Sequence, residues 1–298
     1  FPETMKKRIL SLFLAAFIFI SSICIIILTY PKPFVVHALG LLFQSDVEMS
    51  IVKTDFITHF PETNFQIENF KVKGTLKQYN EYAIQANKIS FRANIFDIYL
   101  RKPNIIIPEI TLLEPILFFH LDSAGNRNYQ FFQNPNRKNP PPESVTLQKI
   151  QIIGGKYKYR LDPKNRDRFF TIRDANAYAK ISPKSIDLKI NLQGKTDSLC
   201  ERKTSFCYHQ PVKLLLDGTI TKEKSKLDIR TFTLGLGKLD LAFFGSAHIG
   251  RYRKYDFQIQ GNKVNLTDIA ELLPGKVQSA IEEYKLDGDI QIAGAMKG

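Results

Sequence analysis

Two hydrophobic patterns divide the chain. From Ile9 to Tyr30 it reads ILSLFLAAFIFISSICIIILTY, with no charged residue. Beyond Pro31 the apolar residues return at every second position. Ile186, Leu188, Ile190 and Leu192 alternate with Asp187, Lys189, Asn191 and Gln193. Tyr255, Phe257, Ile259 and Gly261 alternate with Asp256, Gln258 and Gln260. Shorter runs of this kind include Phe65 and Ile67, Phe70 and Val72, Ile84 in the next run, and Leu227 and Ile229. A period of two predicts strands with one apolar and one polar face. Such strands suit an antiparallel sheet with one side in water. Turn signals separate them at Lys73-Gly74, Gly154-Gly155, Ser182-Pro183, Asp217-Gly218 and Asp287-Gly288.

The uncharged run has the length of a membrane anchor. As a helix it rises about 33 Å, enough to cross a ~30 Å hydrocarbon core. Lys6, Lys7 and Arg8 precede it, which keeps the N-terminus cytoplasmic and exports the chain beyond Pro31. A cleaved signal peptide is the alternative. It would have a shorter apolar region and a small-residue cleavage site, which Ile25 to Tyr30 do not supply. The expected organisation is a tail at 1–8, a transmembrane anchor at 9–30 and a first β/α unit at 31–133. A Pro-rich loop comes next at 134–143, where NPNRKNPPPE has no apolar residue, and β structure continues over 144–298.

Helices are few. Val35 to Phe43 and Ile95 to Leu100 are short candidates. Asn265 to Leu273 reads as a capped helix stopped by Pro274-Gly275, with a further one at Val277 to Tyr284. None covers a broad sheet. Each large apolar side chain left in water forfeits roughly 1.5–3 kcal/mol. The apolar strand faces must therefore meet a second sheet, curl on themselves, or take up something oily.

Charge and composition narrow the functional classes. The chain is 44% hydrophobic and 24% charged, with a formal net charge of +13. Setting aside Lys6, Lys7, Arg8 and Glu3 leaves about +11 on the exported part. Nucleic acid is excluded as a partner by export, whereas anionic head groups lie beside the anchor. A basic surface also serves solubility alone. No G-x-S-x-G, H-E-x-x-H or P-loop occurs, so the sequence predicts no enzyme and no cofactor. Gly235-Leu236-Gly237 reads as a bulge or turn. His37, His59, His120, His209 and His248 are scattered, with no metal-ligand spacing. Cys24 lies in the anchor, while Cys200 and Cys207 are expected to close a loop disulfide in an oxidising compartment.

One stretch carries more than generic β character. It contains Ala86, Ile89 and Phe91, then Ile95 to Leu100, then Ile110, Leu112, Pro115 and Ile116. It closes on Gly125, Asn126, Asn128 and Tyr129. In this order after an N-terminal anchor, these residues resemble the N-terminal region of the AsmA-like family. Tyr129 stands where many members have Trp. Asn262 to Ile269, Leu272-Leu273-Pro274 and Leu286 to Ile290 resemble the family's closing strand-to-helix step. Members are often much longer, and the chain stops within a continuing strand pattern, so a truncated or a short member is expected.

The resemblance implies a single-pass protein of the Gram-negative inner membrane, projecting into the periplasm and related to bridge-like lipid-transfer proteins. The fold it implies is mainly β with short helices, in which the anchor is followed by a curled antiparallel sheet forming an apolar groove. Phospholipids and the inner membrane are the implied partners, with an outer-membrane or periplasmic protein at the far end. The expected groove residues are Ile67, Val72, Ile84, Ile186, Leu188, Ile190, Leu192, Tyr255, Phe257 and Ile259. A competing expectation is a structural assembly factor that binds outer-membrane proteins through sheet edges.

Overall fold

The alternating runs all enter one sheet. The computed structural model describes Lys32 and residues 46–55, 62–76, 78–79, 81–94, 97, 102–129, 143–202, 204–223, 225–248 and 254–298. The expected anchor at 9–30, the tail at 1–8, the helix at Val35 to Phe43 and all of the 134–143 loop but Glu143 lie outside these residues. So does the Ile95 to Leu100 helix apart from Asp97. Among the described residues no helix is long and apolar enough to cross a membrane.

The first strands are β1 (Val47–Glu48), β2 (Ile51–Asp55), β3 (Glu62–Lys73) and β4 (Tyr82–Asn94). Three short ones come after them: β5 (Asn104–Ile107), β6 (Glu109–Leu113) and β7 (Ile116–Leu121). The long central strands are β8 (Ser144–Leu161), β9 (Arg166–Ile181) and β10 (Ser185–Glu201), with β11 (Thr204–Phe206) beside the end of β10. The sheet ends in β12 (Pro211–Thr221), β13 (Lys226–Leu236), β14 (Leu239–His248), β15 (Tyr255–Asn265) and β16 (Asp289–Lys297). The hydrogen-bonded order is β1-β3-β4-β6-β8-β9-β10-β12-β13-β14-β15-β16; β2 lies on β3, and β5 and β7 on β8.

The sheet is not wholly antiparallel, contrary to the sequence expectation. β5, β6 and β7 run parallel to β8. Asn104 pairs with Ser144, Ile110 with Ile150 and Leu121 with Leu161, so one register holds throughout. The three are a single strand path broken at Pro108 and at Glu114-Pro115, where proline has no N–H for the ladder. Residues 122–143 supply the long return that a parallel pair requires. Through these pairs the expected first and second units join directly. From β8 onward neighbouring strands are antiparallel.

Two expected turns lie inside strands instead. Gly154-Gly155 is in β8, and Asp217-Gly218 is in β12 at a register shift. Gly154 (φ 56) belongs to a row of left-handed residues with Asn69 (φ 52) and Glu114 (φ 49). Each reverses the alternation of its strand, as a bulge does. On β3, Phe65 and Ile67 precede the step and Phe70 and Val72 lie beyond it, yet all four are buried. On the neighbouring β4, Asn87 donates from Nδ2 to the Glu114 carboxylate. The row continues where β9 and β10 slip register at Gln193/Gly194. There a Cβ on Gly194 would lie 2.2 Å from the Thr171 carbonyl oxygen, so only glycine fits.

The closed core sits at the β3–β4 end. Met49, Phe65, Ile67, Phe70, Val72 and Ala83 form it, with Phe65 stacked on Phe91 at 4.8 Å. Helix α1 (Leu266–Ala270) starts at Asn265, whose Oδ1 accepts the Thr267 N–H at 2.9 Å. It ends earlier than the sequence suggests. Pro274 then begins α2 (Gly275–Glu283) as well as ending what precedes it.

Candidate functional site: an apolar sheet face

Strand pairing assembles one apolar face from residues far apart in the chain. Paired residues project to the same side of a sheet, so the register traces it. Ile67 faces Ile89, and Ile89 faces Leu112. Leu112 faces Ile152, which faces Ala175, which faces Leu192. Leu192 continues to Leu214, Leu234 and Leu241. A neighbouring row runs from Ile190 through Leu216, Phe232 and Phe243 to Ile259. Phe257 carries the face to Met296 on β16. Aromatic contacts reinforce it at Phe232–Phe243 (5.2 Å) and Tyr255–Phe257 (6.4 Å).

The opposite face is laced with ions and hydroxyls. Asp217 on β12 accepts from Arg230 Nε on β13 at 2.8 Å and lies 3.4 Å from Lys189 Nζ on β10. Thr219 donates to Asp187 at 2.6 Å. Arg230 first and then Lys189 hold the Asp217 carboxyl below its ordinary value. The sheet is thus amphipathic over most of its width.

The two ends of the apolar face differ in burial. Ile67 and Val72 are closed from solvent, at 1% and 0% exposure, so they are core side chains. Ile84 is half-buried against that core. Ile186, Leu188, Ile190, Leu192, Phe257 and Ile259 are all half-buried, and Tyr255 is 40% exposed. Sequence reading missed the stretch between them, Leu214, Leu216, Phe232, Leu234, Leu241 and Phe243. In Leu214-Leu215-Leu216 the apolar run masks the period of two, and Leu215 in fact points to the polar face.

The expected disulfide is not formed; Cys200 and Cys207 are both free. The β10–β11 ladder sets Cys200 opposite Ser205 and ends at Phe206. Cys207 therefore lies beyond the ladder that holds Cys200. At φ 52 its thiol turns away to donate to the Leu272 carbonyl at 2.9 Å, and burial pushes its pKa up.

A polar cluster also emerges that the sequence did not disclose. His120 is buried, with Nε2 2.9 Å from Asp162 and Nδ1 3.9 Å from Glu81. Their separation along the chain hid the contact. Beside them Asn128 is buried and accepts the His120 N–H at 2.8 Å, while its amide donates to the Phe118 carbonyl at 2.9 Å. Asp122 holds Asn126 through the backbone at 2.8 Å and the side chain at 3.0 Å, and Gly125 turns the chain at φ 87. The Gly-Asn-x-Asn stretch is thus a turn tied back onto β7.

No protein-family model matches the chain, and no curated protein sequence matches it.

Proposed function

We propose that the chain is a lipid-handling protein of the Gram-negative envelope, anchored in the inner membrane through residues 9–30 with its sheet in the periplasm. In this reading the half-exposed stretch of the apolar face, from β10 to β16, is a curled groove that holds and conducts phospholipid acyl chains, with no catalytic step. One observation carries it. Large aliphatic and aromatic side chains run unbroken across successive strands, and those from Ile186 to Leu192 stay half-exposed. Completing the burial of each side chain is worth roughly 1 kcal/mol or more. An acyl chain lying across several strands collects many such increments without directional contacts. Head groups would remain in water near basic side chains. The order of motifs that resembles the AsmA-like family points the same way. Ile67 and Val72 act in this reading as the closed end of the face.

The test is lipid extraction and mass spectrometry of the full chain purified in mild detergent, with binding of a fluorescent fatty-acyl probe. Leu188→Asp and Phe257→Asp are expected to lower probe binding severalfold, because an unpaired charge on the oily path costs several kcal/mol. Asn191→Asp, on the polar face, should leave binding unchanged. Absence of co-purified lipid together with identical probe binding by all three variants would remove the proposal.

A further inference from the structure

The apolar face changes character where β7, β8 and β9 run beyond the left-handed residues. Val72 pairs with Ile84, Ile84 with Leu117, Leu117 with Tyr157 and Tyr157 with Phe170, so all five project to one side. Two residues on, Phe119 pairs with Tyr159 and Tyr159 with Arg168, on the same side. The Leu121–Arg127 bridge lays the end of the next turn antiparallel to β7. Tyr129 thereby comes beside Phe119, with the rings 5.0 Å apart. Phe119 meets Tyr157 at 5.7 Å, and Tyr157 meets Phe170 at 6.0 Å. The oily rows thus run into a corner of tyrosines and arginines.

Cations outnumber anions at this corner. Glu201 is paired with Arg166. Arg166 first, then Arg202 and Arg168, hold its carboxyl below the ordinary range. Arg127 lies over the Tyr129 ring, 5.9 Å from its centroid. Arg127 and Arg168 are exposed, and neither forms a salt bridge with a described residue. Residues 130–142, next in the chain, contain no Asp or Glu. The Tyr129 phenol is pushed up by burial and then by the Tyr159 phenol, to which it hydrogen-bonds. One O–H of this pair serves the other oxygen, so a second proton is left to donate. Since Arg127 covers Tyr129 and Arg168 stands opposite Tyr159, the two guanidiniums flank the hydroxyl pair.

We propose that this corner binds the phosphate group of an anionic phospholipid whose acyl chains lie on the adjoining apolar rows. The planar forks of Arg127 and Arg168 offer paired N–H donors that match phosphate oxygens. The spare tyrosine proton adds a further contact. Charge sets the preference among lipids. Glu201 is already held by Arg166, so an ammonium head group finds no open carboxylate here among the described residues. Phosphatidate and phosphatidylglycerol are therefore favoured over phosphatidylethanolamine. Arg168 pairs onward with Leu199, and Phe170 with Thr196, which brings the corner to β10, where the half-exposed stretch begins. The inference rests on the reading of the apolar face as a lipid path and names the place where the head group is held.

The test is calorimetric titration of the full chain in mild detergent with dihexanoyl phosphatidate, dihexanoyl phosphatidylethanolamine, dihexanoylglycerol and inorganic phosphate. Phosphatidate should bind roughly tenfold more tightly than dihexanoylglycerol, which has the same tails without phosphate, and more tightly than the ethanolamine lipid. Arg127→Gln and Arg168→Gln should each weaken phosphatidate about tenfold and leave dihexanoylglycerol unchanged. Both residues are exposed, so circular dichroism should show the fold intact. Lys263→Gln removes an equal charge on β15, towards the other end of the sheet, and should change nothing. Phosphatidate and dihexanoylglycerol binding alike, to the native chain and both arginine variants, would overturn the phosphate site and leave the lipid path standing. Binding of neither would overturn the site together with that path. Inorganic phosphate binding as tightly as phosphatidate, and lost in the arginine variants, would assign the corner to a free ion and overturn the lipid as its source.

Discussion

Asn128 shows how one side chain stands in for missing backbone partners. Its carboxamide serves the N–H of His120 and the carbonyl of Phe118, both at the closed end of β7. Its own backbone carbonyl accepts from Thr75 at 2.9 Å, tying the turn to the β3–β4 connection. Asn128→Ala leaves a buried donor and a buried acceptor unpaired. The expected loss is about 2–4 kcal/mol, read as a lower urea midpoint. An unchanged midpoint would mean that water replaces the carboxamide. The sequence displays the Gly-Asn-x-Asn stretch plainly but not its task, because its partners at Thr75, Phe118 and His120 become neighbours only after the strands pair.

At the scale of the element, strands were legible where one face is oily and the other charged, as in β10 and β15. They were illegible where a left-handed residue resets the alternation. A period of two interrupted at Gly154 reads as two strands and a turn, whereas β8 continues through it. The parallel path of β5 to β7 was hidden for a different reason: parallel and antiparallel pairing place the same apolar residues on the same face. Side-chain contacts between strands also leave a pH signature. The Asp217 carboxyl titrates below its ordinary value of 3.8, chiefly through Arg230 and then Lys189. The folded chain then binds this proton less readily than the unfolded one. The resulting stability is present above the ordinary aspartate range and is lost as pH falls through the folded-state value. Asp217→Asn should therefore be slightly less stable than the native chain near neutrality. That gap should close below about pH 4 in acid-titration denaturation curves, a small effect because water screens an exposed pair. A gap of constant size at every pH would assign the effect to something other than charge.

Across the whole molecule, contacts run almost entirely between adjacent strands. β9 touches β8 and β10, β13 touches β12 and β14, and so along the order. Among the described residues the exceptions include the turn after β7, tied to Thr75 through Asn128, and the helical stretch after β15, which reaches the β10–β14 ends through Cys207–Leu272 and the Lys238–Asp268 ion pair at 2.7 Å. A molecule held by nearest neighbours loses structure from its ends inward, as stacked repeats do. Hydrogen exchange should be slowest in β8, β9 and β10 and fastest in the short edge strands β1 and β2. Equal protection of β10 and β1 would indicate a contact across the sheet that adjacent pairing does not provide.

The same ordering makes reach a countable quantity. Strands from β8 onward alternate in direction, so removing β13 and β14 together would bring β12 beside β15 with its polarity preserved. Leu214 and Leu216 would then stand where Leu241 and Phe243 now meet β15, apolar side still aligned. Duplication of a hairpin works in reverse. Each such event changes the width by about 10 Å, two strand spacings, and disturbs the contacts at a single seam. A lineage carrying this architecture can therefore widen or narrow its sheet by copying or deleting hairpins, one increment at a time, while every other strand keeps the neighbours it had.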